Sequence, residues 1–231
     1  MAIRELTHEE KELMGAIVAR FESQRELVSK FLETVHVMVT GSSELMALIH
    51  SVKRRVKTKE HLQDKLTRKI LKLGTEFDVT PDNLHSKITD LAGYRILHLH
   101  TRQMGEINRV LSKLIEEAQY PLLEPPKAKV WDDESKTYFE SIGIETEFNS
   151  NMYTGVHYLL GASTRTKVSC EIQVRTLAEE VWGEVDHSFN YPHPTESVAC
   201  KEQIRVLARV TSSCSRLVDS IYKSYEDFKA K

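Results

Sequence analysis

Cysteine is scarce in this 231-residue chain, which has only Cys170, Cys200 and Cys214. Their number is odd and their spacing suits no metal site, so no disulfide or zinc framework is implied and reduced thiols in the cytosol are expected. A surplus of either charge is lacking as well. Lys and Arg number 32 against 34 Asp and Glu, for a formal charge of -2. Nothing therefore draws the whole surface to nucleic acid or to a membrane, and phosphate chemistry must come from local clusters. The N-terminus, MAIRELTHEEKEL, is charged from its start, so neither a signal peptide nor a membrane anchor is expected there. Internal repeats and low-complexity tracts are absent. The reading is of a soluble, cytoplasmic protein with no membrane partner, long enough to bury a core as one domain over 1–231.

Elements follow from periodicity. Thr7 with Glu10 three residues on has the form of a capping box, and Leu13, Ile17, Phe21, Val28, Phe31, Leu32 and Val35 lay an apolar helical stripe behind it. After Gly41-Ser42-Ser43 the spacing of Leu45, Leu48, Ile49 and Val52 restarts a helix that runs into the basic stretch 53–57. Leu62, Leu66, Ile70 and Leu73 mark another apolar face before Gly74, so the first third reads as helical. Residues 93–100, Gly-Tyr-Arg-Ile-Leu-His-Leu-His, read as a buried strand, and Ile107 to Ile115 as a helix. Pro121, Pro125, Pro126 and a charged tract predict a long surface loop over 119–137. Strands are expected at 138–147, 155–162 and 166–175. A helix bearing Trp182 follows, and a last helix or pair runs from 198 to 229. The fold class is α+β, a mixed α/β single domain with helical extensions at 1–51 and 197–231 around a motif-bearing core at 52–191.

Four places carry types suited to chemistry. In Cys170-Glu171-Ile172-Gln173-Val174-Arg175-Thr176, alternation puts Glu171, Gln173 and Arg175 on one face of a strand. A solvated edge strand accounts for the same pattern. Asp90 stands just ahead of a buried strand holding Arg95. Carboxylates on two neighbouring strands are a common way to hold Mg²⁺, which takes hard oxygen ligands and bridges phosphates. A helix or turn cap would account for Asp90 alone. Arg55, Lys57 and Lys65 place three cations near a helix start, with Lys57 and Lys65 about two turns apart and able to share a side. Tyr153-Thr154-Gly155-Val156-His157 sets an aromatic and a histidine around a glycine at a loop-to-strand junction, where a tyrosine face can stack on a base. Beyond these, Trp182-Gly-Glu-Val-Asp186-His187 sits on the following helix.

In this order the pieces resemble the synthetase domain of the RelA/SpoT family, and within it the small alarmone synthetases, from about Val52 to Tyr191. RVKTKEHLQDKLTRK is similar to the family's ATP-binding segment and DLAGYR to its Asp-x-x-Gly-x-Arg strand. YTGVH is similar to its Tyr-x-x-x-His loop, EIQVRT to its Glu-x-Gln-x-Arg-Thr strand and VWGEVDH to its Trp-x-x-x-Glu-His helix. The resemblance implies a nucleotidyltransferase-like mixed sheet flanked by helices. It also implies transfer of pyrophosphate from ATP to a ribose 3′-hydroxyl, most often of GDP or GTP, making guanosine tetra- or pentaphosphate. Carried over residue by residue, Arg55 and Arg95 sandwich the adenine, and Lys57 and Lys65 bind the ATP phosphates. Asp90 and Glu171 hold Mg²⁺ and are the catalytic pair, with Glu171 activating the attacking hydroxyl. Tyr153 stacks on the acceptor base, and His157, Gln173 and Arg175 shape the acceptor side.

The chain departs from the family pattern in two places. The loop before Tyr153 usually reads Pro-Lys-x-x-Gly-Tyr-Arg, whereas here 147–155 is Glu-Phe-Asn-Ser-Asn-Met-Tyr-Thr-Gly, with no Lys or Arg and with Thr154 in the arginine position. The helix glutamate is Asp186. The resemblance therefore leaves a guanine nucleotide as the first acceptor, with an adenine nucleotide or the 3′ end of tRNA, as in toxin members of the family, as the alternative. Lys127, Lys129, Lys53 and Arg54 are the basic candidates for RNA. An inactive nucleotide-binding or interaction module is the third reading. Homo-oligomerisation and an antitoxin partner are left open, and hydrolysis of the product is not expected.

Overall fold

The computed structural model describes residues 4–163, 167–192 and 194–230. Helix α1, His8–Thr40, starts where the sequence places it: Thr7 Oγ1 accepts from the Glu10 N–H at 3.2 Å and the Glu10 carboxylate accepts from the Thr7 N–H at 2.8 Å. Each side of this box satisfies a donor that the first turn would otherwise leave open. The stripe Ile17, Phe21, Val28, Phe31, Leu32, Val35 and Val39 is buried. A second helix, α2 (Ser43–Leu48), leads into β1 (Ser51–Val56), and α3 (Lys59–Leu73) follows at once. A one-turn helix α4 (Leu84–Lys87) precedes β2 (Ala92–His98), and α5 (Gln103–Glu117) connects to β3 (Leu122–Val130). Then come α6 (Asp133–Ser141), β4 (Glu145–Phe148), β5 (Gly155–Gly161), β6 (Ser169–Thr176), α7 (Leu177–Asn190) and α8 (Val198–Lys229).

The strands form one six-stranded mixed sheet in the order β1-β2-β6-β5-β3-β4. Strand β2 runs parallel to β6 at its centre and β3 parallel to β4 at one edge, and the other pairs are antiparallel. One face is apolar: Tyr94 and Ile96, Tyr158 and Leu160, Ile172 and Val174, and Ala128 and Val130 are all buried, and α1 lies against β1, β2 and β6. Each aliphatic side chain removed from water contributes about 1.5–3 kcal/mol. The period of two then leaves the alternate positions on the opposite face, where Arg95, Lys127, Lys129, His157, Glu171, Gln173 and Arg175 outnumber the apolar Leu97 and Leu159.

Four segments differ from the sequence reading. Residues 51–56 are a strand, because Val52 and Val56 alternate with Lys53 and Arg55 and the open edge of β2 is there to pair with them. The helical spacing ends at Leu48. Residues 119–137 are not a long loop but β3 and the start of α6. Pro125 and Pro126 fall between Glu124 and Lys127, where the β3–β5 register shifts, and an irregular ladder tolerates the missing N–H groups. Asp132 caps α6 by accepting from the Ser135 N–H at 2.9 Å. Residues 138–147 are accordingly the end of α6 and only a short β4, with Phe139 and Ile144 turned into the core. The strand expected from 166 begins at Ser169, and residue 166 itself lies outside the described residues.

Candidate active site

The polar face of the sheet holds a cleft of about 250 Å³ lined by Lys53, Arg54 and Arg55 of β1, Asp90, then Gly93, Tyr94 and Arg95 of β2, Glu171 and Gln173 of β6, and Glu184 and His187 of α7. Strand register builds most of it: Arg55 lies beside Gly93, which lies beside Glu171, while Lys53, Arg95 and Gln173 form the neighbouring row. The Arg55 side chain lies across Gly93, where a Cβ would meet it in ordinary contact at 3.7 Å. Asp186 turns away from the cleft and accepts from Asn190 Nδ2 at 2.8 Å.

Asp90 sits between two lysines. Lys57 Nζ lies 3.1 Å from Oδ2 and Lys65 Nζ 2.8 Å from Oδ1. Both cations are delivered by one junction. The Lys57 N–H donates to the Leu91 carbonyl at 2.8 Å and prolongs the β1–β2 pairing, then Thr58 caps α3, and Lys65 emerges two turns later on the same side. Burial pushes the Asp90 carboxyl up, but Lys65 and Lys57 outweigh it and hold the group below the usual aspartate range. Lys57 is 7% exposed. Burial lowers its pKa against the pull of Asp90, helped by the neighbouring Lys65 and Arg55 charges.

Glu171 is held from both sides. His157 Nδ1 is 2.9 Å from Oε1, Gln173 Nε2 donates to Oε2 at 2.8 Å, and His157 Nε2 is 3.0 Å from the Tyr153 hydroxyl. A proton on Nδ1 and a Tyr153 hydroxyl donating to Nε2 satisfy this chain. Burial pushes the Glu171 carboxyl up, but the His157 and Gln173 hydrogen bonds bring it below its ordinary value. The Tyr153 ring folds back so closely that a Cβ on Gly155 would come within 2.6 Å of its hydroxyl. It lies edge-on to His157, tilted against Trp182 and 5.7 Å from the Arg175 guanidinium carbon.

The remaining assignments divide. Arg55, Asp90, Arg95, Glu171 and Gln173 line the cleft, Lys57 and Lys65 close one end at Asp90, and His157 and Tyr153 stand at the other. Arg175 is 4% exposed. It pairs with Glu180 and packs on Gly183, supporting Tyr153 from beneath rather than facing the cleft. The sequence reading missed Glu180 and Glu184. Glu180 is buried and also takes Lys53 at 2.7 Å and Arg95 at 3.1 Å, while Glu184 takes Arg95 at 2.6 Å. Their signal was the spacing of Glu180, Glu184 and His187 on one face of α7, which is legible only once that face is known to meet β2. Lys53 and Arg54 are both engaged by acids, Arg54 by Glu33 of α1.

The residues at Asp90 and Glu171 fit Mg²⁺. They are hard oxygen donors lining one cleft, Asp90 just ahead of β2 and Glu171 on the parallel neighbour β6, and each oxygen of Glu171 keeps a lone pair beyond its one hydrogen bond. Asp90 Oδ1 is shut from solvent and receives no well-directed hydrogen bond, although Lys65 is within ion-pair range. Among the described residues no group of three or more His, Cys, Asp or Glu side chains forms a self-sufficient metal cage. An ion here would complete its shell with phosphate oxygens and water, as Mg²⁺ commonly does.

The sequence profile of the region found in RelA / SpoT proteins matches residues 54–196. No curated protein matches the chain in sequence. Among solved structures, a GTP pyrophosphokinase family protein from Streptococcus pneumoniae is similar at a TM-score of 0.61 and 18% identity, over 97% of this chain and 98% of that one. The small alarmone synthetase 1 from Bacillus subtilis bound to its product pppGpp gives a TM-score of 0.59 and 19% identity, over 87% of this chain and 93% of that one. The same synthetase bound to AMPCPP gives 0.56 and 20%, over 87% and 95%. At these identities the likeness is one of fold.

Proposed function

The chain belongs to the RelA/SpoT family and is a pyrophosphotransferase by class, and from that premise we propose that it moves the β,γ-pyrophosphate of ATP to the 3′-hydroxyl of GDP or GTP. The observation that carries this reading is the shared cleft of Asp90 and Glu171, with the Lys57–Lys65 pair at one end and the Tyr153–His157 pair at the other. On this reading residues 1–231 work as one synthetase unit in the cytoplasm. Among the described residues no helix is long and apolar enough to cross a membrane.

Lys57 and Lys65 hold the ATP phosphates, and Arg55 and Arg95 hold the adenine between β1 and β2. A ribose 3′-oxygen attacks the β-phosphorus, the new O–P bond forms as the bond from that phosphorus to the α,β-bridging oxygen breaks, and AMP leaves. The hydroxyl proton passes to Glu171, which is ionised at neutral pH and fixed by His157 and Gln173. A weak carboxylate base suffices because the transition state of such transfers is loose and positioning supplies most of the catalysis. Mg²⁺ bound by Asp90 and Glu171 would neutralise charge on the phosphate oxygens. Tyr153 takes the acceptor base on its ring, which requires it to leave its fold over Gly155.

A second reading, transfer to an adenine nucleotide or to the 3′ end of tRNA, is favoured by one observation: residues 147–155 carry no Lys or Arg. Incubation with γ-labelled ATP, Mg²⁺ and, separately, GDP, GTP, AMP and deacylated tRNA distinguishes the two by which acceptor gains label. Glu171→Ala is expected to lose transfer by at least about a thousandfold with an unchanged circular dichroism spectrum. Transfer that survives the substitution overturns the assignment, and label on no acceptor points to an inactive module.

A further inference from the structure

The acceptor end of the cleft continues across the sheet beyond Tyr153 and His157. In strand register Gln173 lies beside His157, His157 beside Lys127, and Lys127 beside Glu145. One step along, Lys129 lies beside Gly155 and Glu147. Residues directly opposite on paired strands point to the same face. The burial of Ala128 and Val130 confirms which face that is, since their side chains enter the core and those of Lys127 and Lys129 take the other side. The irregular register at Pro125-Pro126, just before Lys127, sets this phase. Lys129 approaches Glu147 only to 3.9 Å, and among the described residues Lys127 has no carboxylate within ion-pair range. By contrast, most other cations near the cleft face an acid, Lys53 and Arg95 at Glu180 and Glu184, Lys57 and Lys65 at Asp90, and Arg175 at Glu180, and Arg55 lies on β1 at the donor end, away from β3.

Resting on the transfer reaction above, we propose that Lys127, with Lys129 beside it, binds the phosphate on the 5′ side of the acceptor ribose. These two lysines supply from β3 the positive charge that the loop before Tyr153 lacks. The geometry suits this role. Neighbouring strands are about 4.8 Å apart, so β3 lies roughly 10 Å from β6. An acceptor whose 3′-oxygen is at Glu171 has its 5′ side directed away across the sugar, over β5 and toward β3. Glu145 and Glu147 on β4 then bound the track. A phosphate chain that outgrows the lysines meets two exposed carboxylates, so an acceptor with a short phosphate group is favoured over a triphosphate. The phosphate recognised is that of a free nucleotide or the phosphodiester preceding an RNA 3′ terminus.

The test measures KM and kcat for guanosine, GDP, GTP, AMP and deacylated tRNA with wild type, Lys127→Ala, Lys127→Arg and Lys136→Ala. Lys136 is an exposed charge on α6 and serves as the control. Calorimetry of GDP binding is run in parallel. The expected result is that Lys127→Ala raises KM for the phosphorylated acceptor roughly ten- to hundredfold, the range for a lost charge-assisted hydrogen bond. The loss is far smaller for guanosine, Lys127→Arg restores most of it, and Lys136→Ala has no effect. Whether a free nucleotide or tRNA shows the loss identifies the source of the phosphate. If wild type transfers pyrophosphate but Lys127→Ala keeps its acceptor KM and GDP affinity, the inference falls while the reaction stands. If wild type transfers to none of the acceptors, the reaction falls and takes the inference with it.

Discussion

Asp90 owes its chemistry to two lysines that are far from it in sequence but adjacent in space. Alone, an aspartate ahead of a strand is a cap. Between Lys57 and Lys65 it becomes the anion on which a buried amine depends, since Lys57 would otherwise stand in a water-poor site unpaired. Its pKa in the folded chain lies below the ordinary aspartate value of 3.8. The stability it contributes is therefore complete above 3.8 and is lost as the pH falls through the lower, folded-state value. Asp90→Asn is expected to be about 2 kcal/mol less stable than wild type at pH 7. The gap should narrow only below pH 3.8. Urea unfolding across pH 2.5–7 checks this, and a gap that closes near neutrality would show that the lysines do not need the carboxylate.

Among the elements, α7 does the most. Its first turn is closed by Thr176 and Glu179, with the Glu179 N–H donating to Thr176 Oγ1 at 3.2 Å and the Thr176 N–H donating to Glu179 Oε2 at 3.0 Å. Its next residues, Glu180 and Glu184, gather Lys53 and Arg95 from β1 and β2, and Trp182 turns to α8. The cap itself is stressed electrostatically. Burial pushes the Glu179 carboxyl up to about 7 against the opposing pull of the Thr176 hydrogen bonds and Arg175. A raised folded-state pKa means that the favourable contribution is full below the unfolded value of 4.5 and fades as the pH rises through about 7. Glutamine also closes a capping box. Glu179→Gln should thus remove this pH dependence and be on the order of 1–2 kcal/mol more stable than wild type at pH 8, as read by thermal melts at pH 5 and pH 8. Equal melting shifts at both pH values would mean that Glu179 is charged throughout.

At the scale of the whole molecule, the cleft depends on a helix that lies beyond the matched family region. Helix α8 begins at Val198, after the match ends at 196. It covers Trp182, whose Nε1–H donates to the Ile204 carbonyl at 3.1 Å, and Ile204 and Ala208 pack on the same ring. Met152 and Tyr153 lean on this small cluster, apart from the main core. The Thr176 and Ser215 hydroxyls, 3.0 Å apart, tie the root of α7 to α8. Tyr153, proposed above to take the acceptor base, is thereby positioned through α7 by α8. Trp182→Ala should cost about 3–5 kcal/mol, roughly 10 °C in Tm for a chain of this size, and acceptor KM should rise more than KM for ATP. An equal rise in both would indicate general loosening instead of a loss specific to Tyr153.

Local pattern alone was enough for α1, α3, β2 and β5, for the presence of β6 though not its start, and for the helical character of 198–229 though not for its being one helix, because a cap and a period of 3.6 or 2 are set by neighbours in the chain. It was enough as well for the face shared by Glu171 and Gln173, and for the two-turn spacing of Lys57 and Lys65. It failed at β1, whose six residues pair only because β2 offers an edge, and at β3, where two prolines argued for a loop until β5 supplied a ladder that could skip them. The meeting of Asp90 with its lysines, the capture of Arg95 by Glu180 and Glu184, the burial of Arg175 and the alignment of Lys127 with His157 depend on which strands become neighbours. No residue along the chain records that order. It is decided when the apolar face of the sheet closes on α1 and leaves the alternate, mostly polar side chains on the other side.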